Sequence, residues 1–229
     1  MPTVRRLAAV PAVLALACGF AFAAVRAPSA DAEVRMKPLN PCYVSVNPAT
    51  RETTVIYAEG FEPHAVVDVS IGPHKEPVDA DANGVVKTKP LAVPYQHRGQ
   101  SEFTVSLTER DNPGLTAMDT AKVTALSVRL RPRVAATSDR VRMHGRGFLL
   151  PKPIWAHYVF RGKVRKTVRL VRRPRGDCGR FSVRRRQIPI VRPHPGRWTL
   201  QVDQQRRYSE KPQSAFVPVR IDVHRVVGR

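Results

Sequence analysis

Arginines at alternating positions in the second half of the chain are the residues best suited to binding chemistry. In the run 163–173, the two-residue period of a strand places Arg165, Arg169 and Arg173 on one face and apolar side chains on the other. In the next run, Phe181 is predicted to point inward and the arginines outward. The candidate polyanion-binding residues are Arg165, Arg169, Arg173, Arg180, Arg184 and Arg186.

The chemistry expected of these arginines is the binding of phosphate or carboxylate groups. A guanidinium group makes two parallel hydrogen bonds to either anion, so a row of guanidinium groups suits a polyanion. If the two runs form neighbouring strands, their arginines make a ladder on one face of a sheet. The alternative is a charged face that only contacts water, because isolated exposed charges contribute little binding energy.

The positive charge of the chain is divided unevenly along its length. The whole chain carries a net charge of +21. Residues 33–126 hold 9 Lys+Arg against 12 Asp+Glu, a net charge of −3, and residues 127–229 hold 27 against 5, a net charge of +22. This difference places any surface for an anionic partner on the second segment. The alternative is the general abundance of exposed arginine in exported proteins of high-GC genomes.

Residues 1–32 have the pattern of an export signal. Arg5 and Arg6 precede an apolar segment at 7–24, and small residues fit cleavage after Ala23 or Ala32. Two alternatives stay open: the segment remains as a membrane anchor, or Cys18 is the lipidated cysteine of a lipoprotein signal. The chain is expected to be secreted or associated with the cell envelope.

The predicted export of the chain limits which anionic partners it can meet. An exported protein meets anionic envelope polymers and lipid headgroups, so these are the expected partners of the basic segment. Another surface protein is the alternative partner. We expect no nucleic acid partner in the native compartment, although a basic protein would attract one elsewhere.

Two cysteines lie beyond the export signal, one in each segment. An oxidising compartment favours a disulfide between Cys42 and Cys178, which would hold the two segments together. Two free or intermolecular thiols are the alternative, because the sequence does not show whether the two Cα atoms approach to the ~6 Å that a disulfide needs.

Short runs rich in β-branched residues, separated by Pro, Gly, Asn and Asp, predict an all-β protein. A Gly-Phe pair at Gly60-Phe61 recurs at Gly147-Phe148, each time before a predicted strand, which indicates two copies of one β-sandwich. Glycine is expected where the chain turns and phenylalanine in the core. The predicted domains are residues 1–32 as the signal, 33–126 as a slightly acidic sandwich and 127–229 as a strongly basic one.

Some details of these sandwiches are also predicted. One strand is expected at 53–57, and the connection between the sandwiches at 125–132. The interval from the Gly-Phe pair to the following aromatic strand is longer in the second segment. The extra residues are assigned to the basic hairpin at 155–173.

The start of the first sandwich resembles a known family. Residues 46–50 (Val-Asn-Pro-Ala-Thr), followed by Gly-Phe-Glu-Pro at 60–63 and Val-Asp-Val at 67–69, resemble the immunoglobulin-like domains of exported actinobacterial proteins, including the neocarzinostatin-like apoproteins that carry enediyne antibiotics. The resemblance implies two tandem immunoglobulin-like sandwiches and, from the apoproteins, carriage of a small molecule. Those carriers are single domains with two internal disulfides. Tandem exported immunoglobulin-like proteins of unknown role are the closer match.

The chain carries no complete motif for metal binding or catalysis. Residues 79–84 match the first half of a calcium loop, but Pro90 stands where a bidentate glutamate is required, so an Asn-Gly turn is predicted. The seven histidines lack metal-binding spacing, and no nucleophile, zinc-protease or phosphate-loop motif occurs. The sequence therefore predicts no metal, no cofactor and no catalytic residue.

Together these observations predict an exported, non-enzymatic binding protein whose basic second domain contacts polyanionic envelope material. A structural or adhesive immunoglobulin-like module that binds another protein is the first alternative. A small-molecule carrier is the second.

Overall fold

Short strands joined by turns make up the regular secondary structure in the described part of this chain. The computed structural model describes residues 33–133 and 135–209, together with the backbone of a strand at Val217–Val223. The predicted export signal, with Cys18 and both cleavage positions, lies outside the described residues. No helix occurs in the described part of the chain, and the fold is all-β.

The first ten strands build one sandwich. They are β1 (Arg35–Met36), β2 (Cys42–Ser45), β3 (Thr53–Thr54), β4 (Tyr57–Glu59), β5 (Val66–Ile71), β6 (His74–Asp79), β7 (Val85–Lys87), β8 (Leu91–Ala92), β9 (Gln100–Glu109) and β10 (Thr116–Ala125). One sheet has the order β2-β10-β9-β5-β6, the other has the order β1-β4-β7, and β3 pairs with β8. The alternation in β5 shows why the sheets pack, since Val67, Val69 and Ile71 are buried and the residues between them are half-exposed.

The remaining strands build a second sandwich. They are β11 (Ser127–Arg131), β12 (Arg140–Arg146), β13 (Ile154–Phe160), β14 (Lys163–Val171), β15 (Phe181–Arg186), β16 (Gly196–Asp203) and β17 (Val217–Val223). One sheet has the order β14-β13-β16-β17 and the other β11-β12-β15. Trp198, Tyr158 and Phe148 are the largest side chains of the buried cluster between them.

The two sandwiches share one topology. In the second, the sheet β11-β12-β15 opposes a sheet that contains the hairpin β13-β14 and the later strands β16 and β17. In the first, β1-β4-β7 opposes a sheet that contains the hairpin β5-β6 and the later strands β9 and β10. This division of strands is that of immunoglobulin-like sandwiches. The chain therefore contains two tandem immunoglobulin-like β-sandwiches.

The Gly-Phe pair of the first sandwich ends β4 and closes the core. Gly60 has a φ of 101°, and Phe61 after it is buried. The N–H of Phe61 donates to the carbonyl of Gly84, 3.2 Å away. A Cβ atom on Gly84 would lie 2.1 Å from the carbonyl oxygen of Phe61, so only glycine fits there.

The second sandwich repeats this contact. Gly147 has a φ of 86°, Phe148 is buried, and the N–H of Phe148 donates to the carbonyl of Gly179 at 3.2 Å. A Cβ atom on Gly179 would again lie 2.1 Å from the phenylalanine carbonyl oxygen. The Gly-Phe pair thus has a structural role in both copies, and each copy needs a second glycine from the strand-joining turn.

Gly179→Ala is expected to destabilise the chain by about 3 kcal/mol, because it adds a backbone clash to the cost of a left-handed alanine. Gly176→Ala is the matched control, since Gly176 also has a positive φ (65°) but an added Cβ atom there would meet no other atom within 4 Å. The control should lose about 1 kcal/mol. Urea unfolding measures both changes, and equal losses would show that the Gly179 contact does not matter.

The two sandwiches are joined along β2. Tyr43 packs into the first core and Val44 into the second, so alternate side chains of one strand serve both cores. Cys42 and Cys178 form a disulfide with their Cα atoms 5.3 Å apart, and both residues are buried. The sequence left open whether the two cysteines form a disulfide or remain as free or intermolecular thiols. The structure has the disulfide.

Polar contacts add to this joint. Lys122 Nζ lies 3.2 Å from Asp177 Oδ2, and Arg180 donates to Gln100 Oε1. Asp177 and Arg180 both belong to the connection between β14 and β15, which also contains Cys178. The connection is therefore tied to the first sandwich by a covalent bond, an ion pair and a hydrogen bond.

The structure differs from the sequence prediction in three places. The strand predicted at 53–57 is wrong as one element, because it is divided between β3 and β4, which pair in different sheets. Strands β1, β6, β8 and β11 were not predicted, β6 because it is a polar edge strand that contains Pro77. The extra length of the second copy lies partly in the hairpin, as predicted, and partly in the connection at 172–180, which replaces the short turn at 80–84.

Candidate anion-binding surface

The outer face of the sheet β11-β12-β15 is covered by arginine. Leu130, Val141 and Met143 point into the core, so the residues that alternate with them point to solvent. We call this surface the arginine face and define it by its exposed cationic residues, Arg129, Arg131, Arg140, Arg142, Arg184 and Arg186.

The strand register places like charges directly opposite one another. Arg142 on β12 lies between Arg131 on β11 and Arg184 on β15, and Arg140 lies opposite Arg186. Cβ atoms of directly opposed residues are ~4.5–5.5 Å apart, and like charges at that distance destabilise a sheet. The face thus carries a repulsion that a bound anion would relieve.

The acidic groups of the second sandwich whose side chains the structure describes all have contacts elsewhere. Asp139 accepts a hydrogen bond from the N–H of Ala136, Asp177 pairs with Lys122, and Asp203 lies beside a buried histidine. Among the described residues, no ion pair includes an arginine of the arginine face. The charge of the arginine face is therefore not balanced by the acidic side chains that the structure describes.

The six arginines predicted from the sequence fall into three groups. Arg184 and Arg186 lie on the arginine face, and Arg173 and Arg180 line a cleft beside it. Arg165 and Arg169 lie on β14, in the opposite sheet of the sandwich. The condition for a ladder was that β14 and β15 neighbour each other, and it is not met, because β14 pairs with β13 and β15 with β12.

A cleft opens between the end of the arginine face and the connection at 172–180. Its volume is about 650 Å³. Ser127, Ser182 and His144 contribute polar groups, and Phe181 and Val171 contribute apolar ones. We call it the arginine cleft, after its six lining arginines: Arg129, Arg146, Arg172, Arg173, Arg175 and Arg180.

His144 lies between the arginine face and the arginine cleft. Partial burial lowers the pKa of His144 below its ordinary value, and the positive charges of Arg142 and Arg131 lower the pKa further. The lowered pKa favours the neutral form of the imidazole. A neutral imidazole can hydrogen-bond a hydroxyl group while the neighbouring guanidinium groups bind anions.

The sequence interpretation missed most of this surface. Arg129 and Arg131 alternate with Val128 and Leu130. The same alternation of arginine and apolar residues identified the basic hairpin. Here it was missed because these residues lie where the connection between the domains was expected. The sequence also predicts a strand at 141–144, within β12, but its outward residues were not among the binding candidates. Period-two alternation applied to β11 and β12 would have found the arginine face.

A buried polar cluster occupies the outer side of the other sheet. The imidazole Nε2 of His157 lies 3.3 Å from Asp203 Oδ1 and 3.1 Å from the carbonyl oxygen of Gln205, and Nδ1 lies 3.0 Å from Thr167 Oγ1. Asp203 Oδ2 accepts a hydrogen bond from Gln201. His157 and Asp203 are fully buried, and the cluster fastens the segment after β16 to the sheet.

The calcium-like sequence at 79–84 forms a turn between β6 and β7. The carboxylate of Asp81 accepts hydrogen bonds from the N–H groups of Asn83 and Val85, at 2.8 and 3.0 Å. Both bonds are to Oδ1, which therefore stabilises the turn itself. Within the described ranges, no group of three His, Cys, Asp or Glu residues is placed to hold a metal ion.

The part of the chain that the structure describes contains no helix long and apolar enough to cross a membrane. The predicted export segment lies outside that part.

No protein-family model and no curated protein matches the chain. Solved structures do match, at low identity. The tetra-tandem repeat in the extending region of a large adhesion protein is 13% identical, with a TM-score of 0.29 over 83% of this chain and 49% of that one. A Ca²⁺-stabilised, ice-binding adhesin of an Antarctic bacterium is 13% identical, with a TM-score of 0.31 over 82% and 47%.

The fibronectin(III)-like modules of Clostridium thermocellum CbhA are 12% identical, with a TM-score of 0.24 over 83% of this chain and 93% of that one. The chain spans about half the length of each of the two adhesin structures. Matches of this quality carry no inference about function. The immunoglobulin-like character of the chain follows from its own sheet topology.

Proposed function

We propose that this chain is an exported, non-enzymatic binding protein that holds polyanionic cell-envelope material on the arginine face of its second sandwich. The observation that supports it most directly is the row of Arg131, Arg142 and Arg184 across three strands, with no carboxylate partner among the described residues. A protein with no anionic partner would gain stability from an acidic residue in such a row.

The first sandwich supports the same proposal by contrast. It has the same topology, yet its segment has a net charge of −3 against +22 for the second (9 − 12 and 27 − 5). The immunoglobulin-like fold therefore does not require the basic surface. In this proposal, the first sandwich spaces and supports the second, through β2 and the disulfide.

Binding to envelope material is expected to depend steeply on salt. Residues 33–229, purified in the oxidised state, would be added to vesicles that contain an anionic lipid and to an isolated phosphate-bearing wall polymer. If six arginines contact anionic groups, the logarithm of the binding constant should fall by about five for each tenfold rise in salt. Neutral vesicles serve as the control.

A binding constant that does not change with salt would contradict the proposal. Equal retention by neutral vesicles would do the same. Either result would favour the alternative of a structural or adhesive module that contacts another protein through uncharged surface.

A further inference from the structure

The arginine cleft exists because the second sandwich has a longer connection between β14 and β15. In the first sandwich, residues 80–84 close the equivalent connection with a tight turn. In the second, residues 172–180 extend past the end of the sheet and fold back, with two backbone hydrogen bonds between Arg175 and Arg180 at 2.7 and 2.8 Å. The space between this small hairpin and the sheet is the cleft.

The cleft gathers cations from three parts of the chain. Arg129 comes from β11, Arg146 from β12, and the others from the connection. Among the residues that the structure describes, no Asp or Glu lines it. Guanidinium groups that converge from several directions can surround one tetrahedral oxyanion, whereas those of a flat face contact only one side of an extended polymer.

The position of the connection is fixed before any ligand binds. The Cys42–Cys178 disulfide and the Lys122–Asp177 ion pair hold its tip to the first sandwich. The carbonyl of Cys178 also accepts a hydrogen bond from the N–H of Gly147 at 3.0 Å. A preformed site loses less conformational entropy on binding than a mobile loop would.

The size and lining of the cleft indicate more than a free ion. A volume of about 650 Å³ is within the usual range for small-molecule sites. The hydroxyl groups of Ser127 and Ser182 and the imidazole of His144 can form hydrogen bonds with the hydroxyl groups of a sugar. The guanidinium groups suit an anionic substituent on it.

We propose that the arginine cleft is a discrete site for a phosphate-bearing or sulfate-bearing sugar unit at the end of an anionic polymer. This inference rests on the proposed function of the adjoining arginine face and names the group that the surface recognises. The face would hold the body of the polymer through many equivalent contacts, and the cleft would hold one end group.

The test uses residues 33–229 in the oxidised state and two variants that each remove three charges. The cleft variant carries Arg172→Gln, Arg173→Gln and Arg175→Gln, and the face variant carries Arg131→Gln, Arg142→Gln and Arg184→Gln. All six residues are exposed, so both variants are expected to fold, which circular dichroism checks. Calorimetry at constant ionic strength then measures the binding of inorganic pyrophosphate, of a disulfated disaccharide and of long-chain polyphosphate.

The unaltered chain is expected to bind one pyrophosphate or one disulfated disaccharide, and the tighter of the two identifies the anionic group. The cleft variant should bind that small probe at least about tenfold more weakly. The face variant should bind it within about twofold of the unaltered chain while losing affinity for long-chain polyphosphate.

The cleft site would be overturned if both variants lost the same affinity for the small probe. It would also be overturned if the unaltered chain did not saturate with one small probe per chain. If polyphosphate binding is then still lost in the face variant, the proposed function stands without the cleft. If neither variant changes polyphosphate binding, the proposed function fails as well.

Discussion

Replacement of Cys42 and Cys178 by alanine in residues 33–229 is expected to lower the free energy of unfolding by about 5 kcal/mol. The bond joins residues that are 136 positions apart, so its removal returns a large amount of conformational entropy to the unfolded chain. In a chain of this size the melting temperature should fall by roughly 10–20 °C. Differential scanning calorimetry under non-reducing conditions measures the change.

Reducing agent supplies the control for this result. The unaltered chain in reducing agent should melt close to the temperature of the double alanine variant, and the variant should not respond to the reducing agent. If the variant and the oxidised chain melt at the same temperature, the disulfide contributes nothing to stability. The joint between the sandwiches would then depend on β2 and on the polar contacts of Lys122 and Arg180.

Asp203→Asn is expected to destabilise the chain by about 3 kcal/mol at neutral pH. Asparagine keeps the shape of aspartate but replaces one acceptor oxygen with a donor, in a site where His157, Gln201 and the N–H of Gln205 all direct donors at the carboxylate. A buried donor without an acceptor, and the loss of the charged partner of His157, account for the cost. Urea unfolding at pH 7 measures it.

The pKa of Asp203 also predicts how this effect changes with pH. Burial alone would raise the pKa of Asp203, but hydrogen bonds from His157, Gln201 and Gln205 outweigh it and lower the pKa below the ordinary value. A carboxyl group with a lowered folded pKa adds stability above its unfolded pKa of about 4. That stability is lost as the pH falls through the lower folded pKa.

The stability of the unaltered chain should therefore fall more steeply below pH 4 than that of the Asp203→Asn variant. Asp139→Asn is the matched control, because Asp139 is exposed and makes one hydrogen bond to the N–H of Ala136. It should lose at most about 1 kcal/mol. If the free energy of unfolding falls equally steeply below pH 4 for the unaltered chain and the Asp203→Asn variant, the buried carboxylate has an ordinary pKa.

The fold could be predicted from the sequence because its signals are local. β-Branched runs marked most strands, as at Val66–Ile71 and Lys163–Val171, and the Gly-Phe pairs marked the duplication. The division of residues between the two sheets could not be predicted, because pairing depends on contacts between distant segments. Strand β11 was missed for another reason: its alternation is present in the sequence, but it lies where the connection between the sandwiches was expected.

The candidate site was predicted only in part for the same reason. The charge count placed the basic surface in the second half of the chain, and Arg184 and Arg186 do lie on the arginine face. The sequence neighbours Arg165 and Arg169 do not, because a hairpin turn places β14 in the opposite sheet from β15. Of the arginines that line the arginine cleft, only Arg173 and Arg180 were candidates from the sequence. The cleft itself could not be predicted, because its lining comes from separate strands and the connection at 172–180, which only the fold brings together.

The central claim is that the arginine face, and not the basic hairpin, binds polyanions. The most direct measurement compares the salt dependence of long-chain polyphosphate binding in two variants that each lose three charges from the same sandwich. The face variant carries Arg131→Gln, Arg142→Gln and Arg184→Gln. The hairpin variant carries Arg165→Gln, Lys166→Gln and Arg169→Gln, all on β14 and exposed.

We expect the face variant to reduce the slope of log K against log salt by about 2–3, since each lost contact removes about 0.9. The hairpin variant, with the same net charge, should keep the slope of the unaltered chain to within about 0.5. Equal reductions in the two variants would mean that binding responds only to net charge. A larger reduction in the hairpin variant would place the site on β14 and contradict the account.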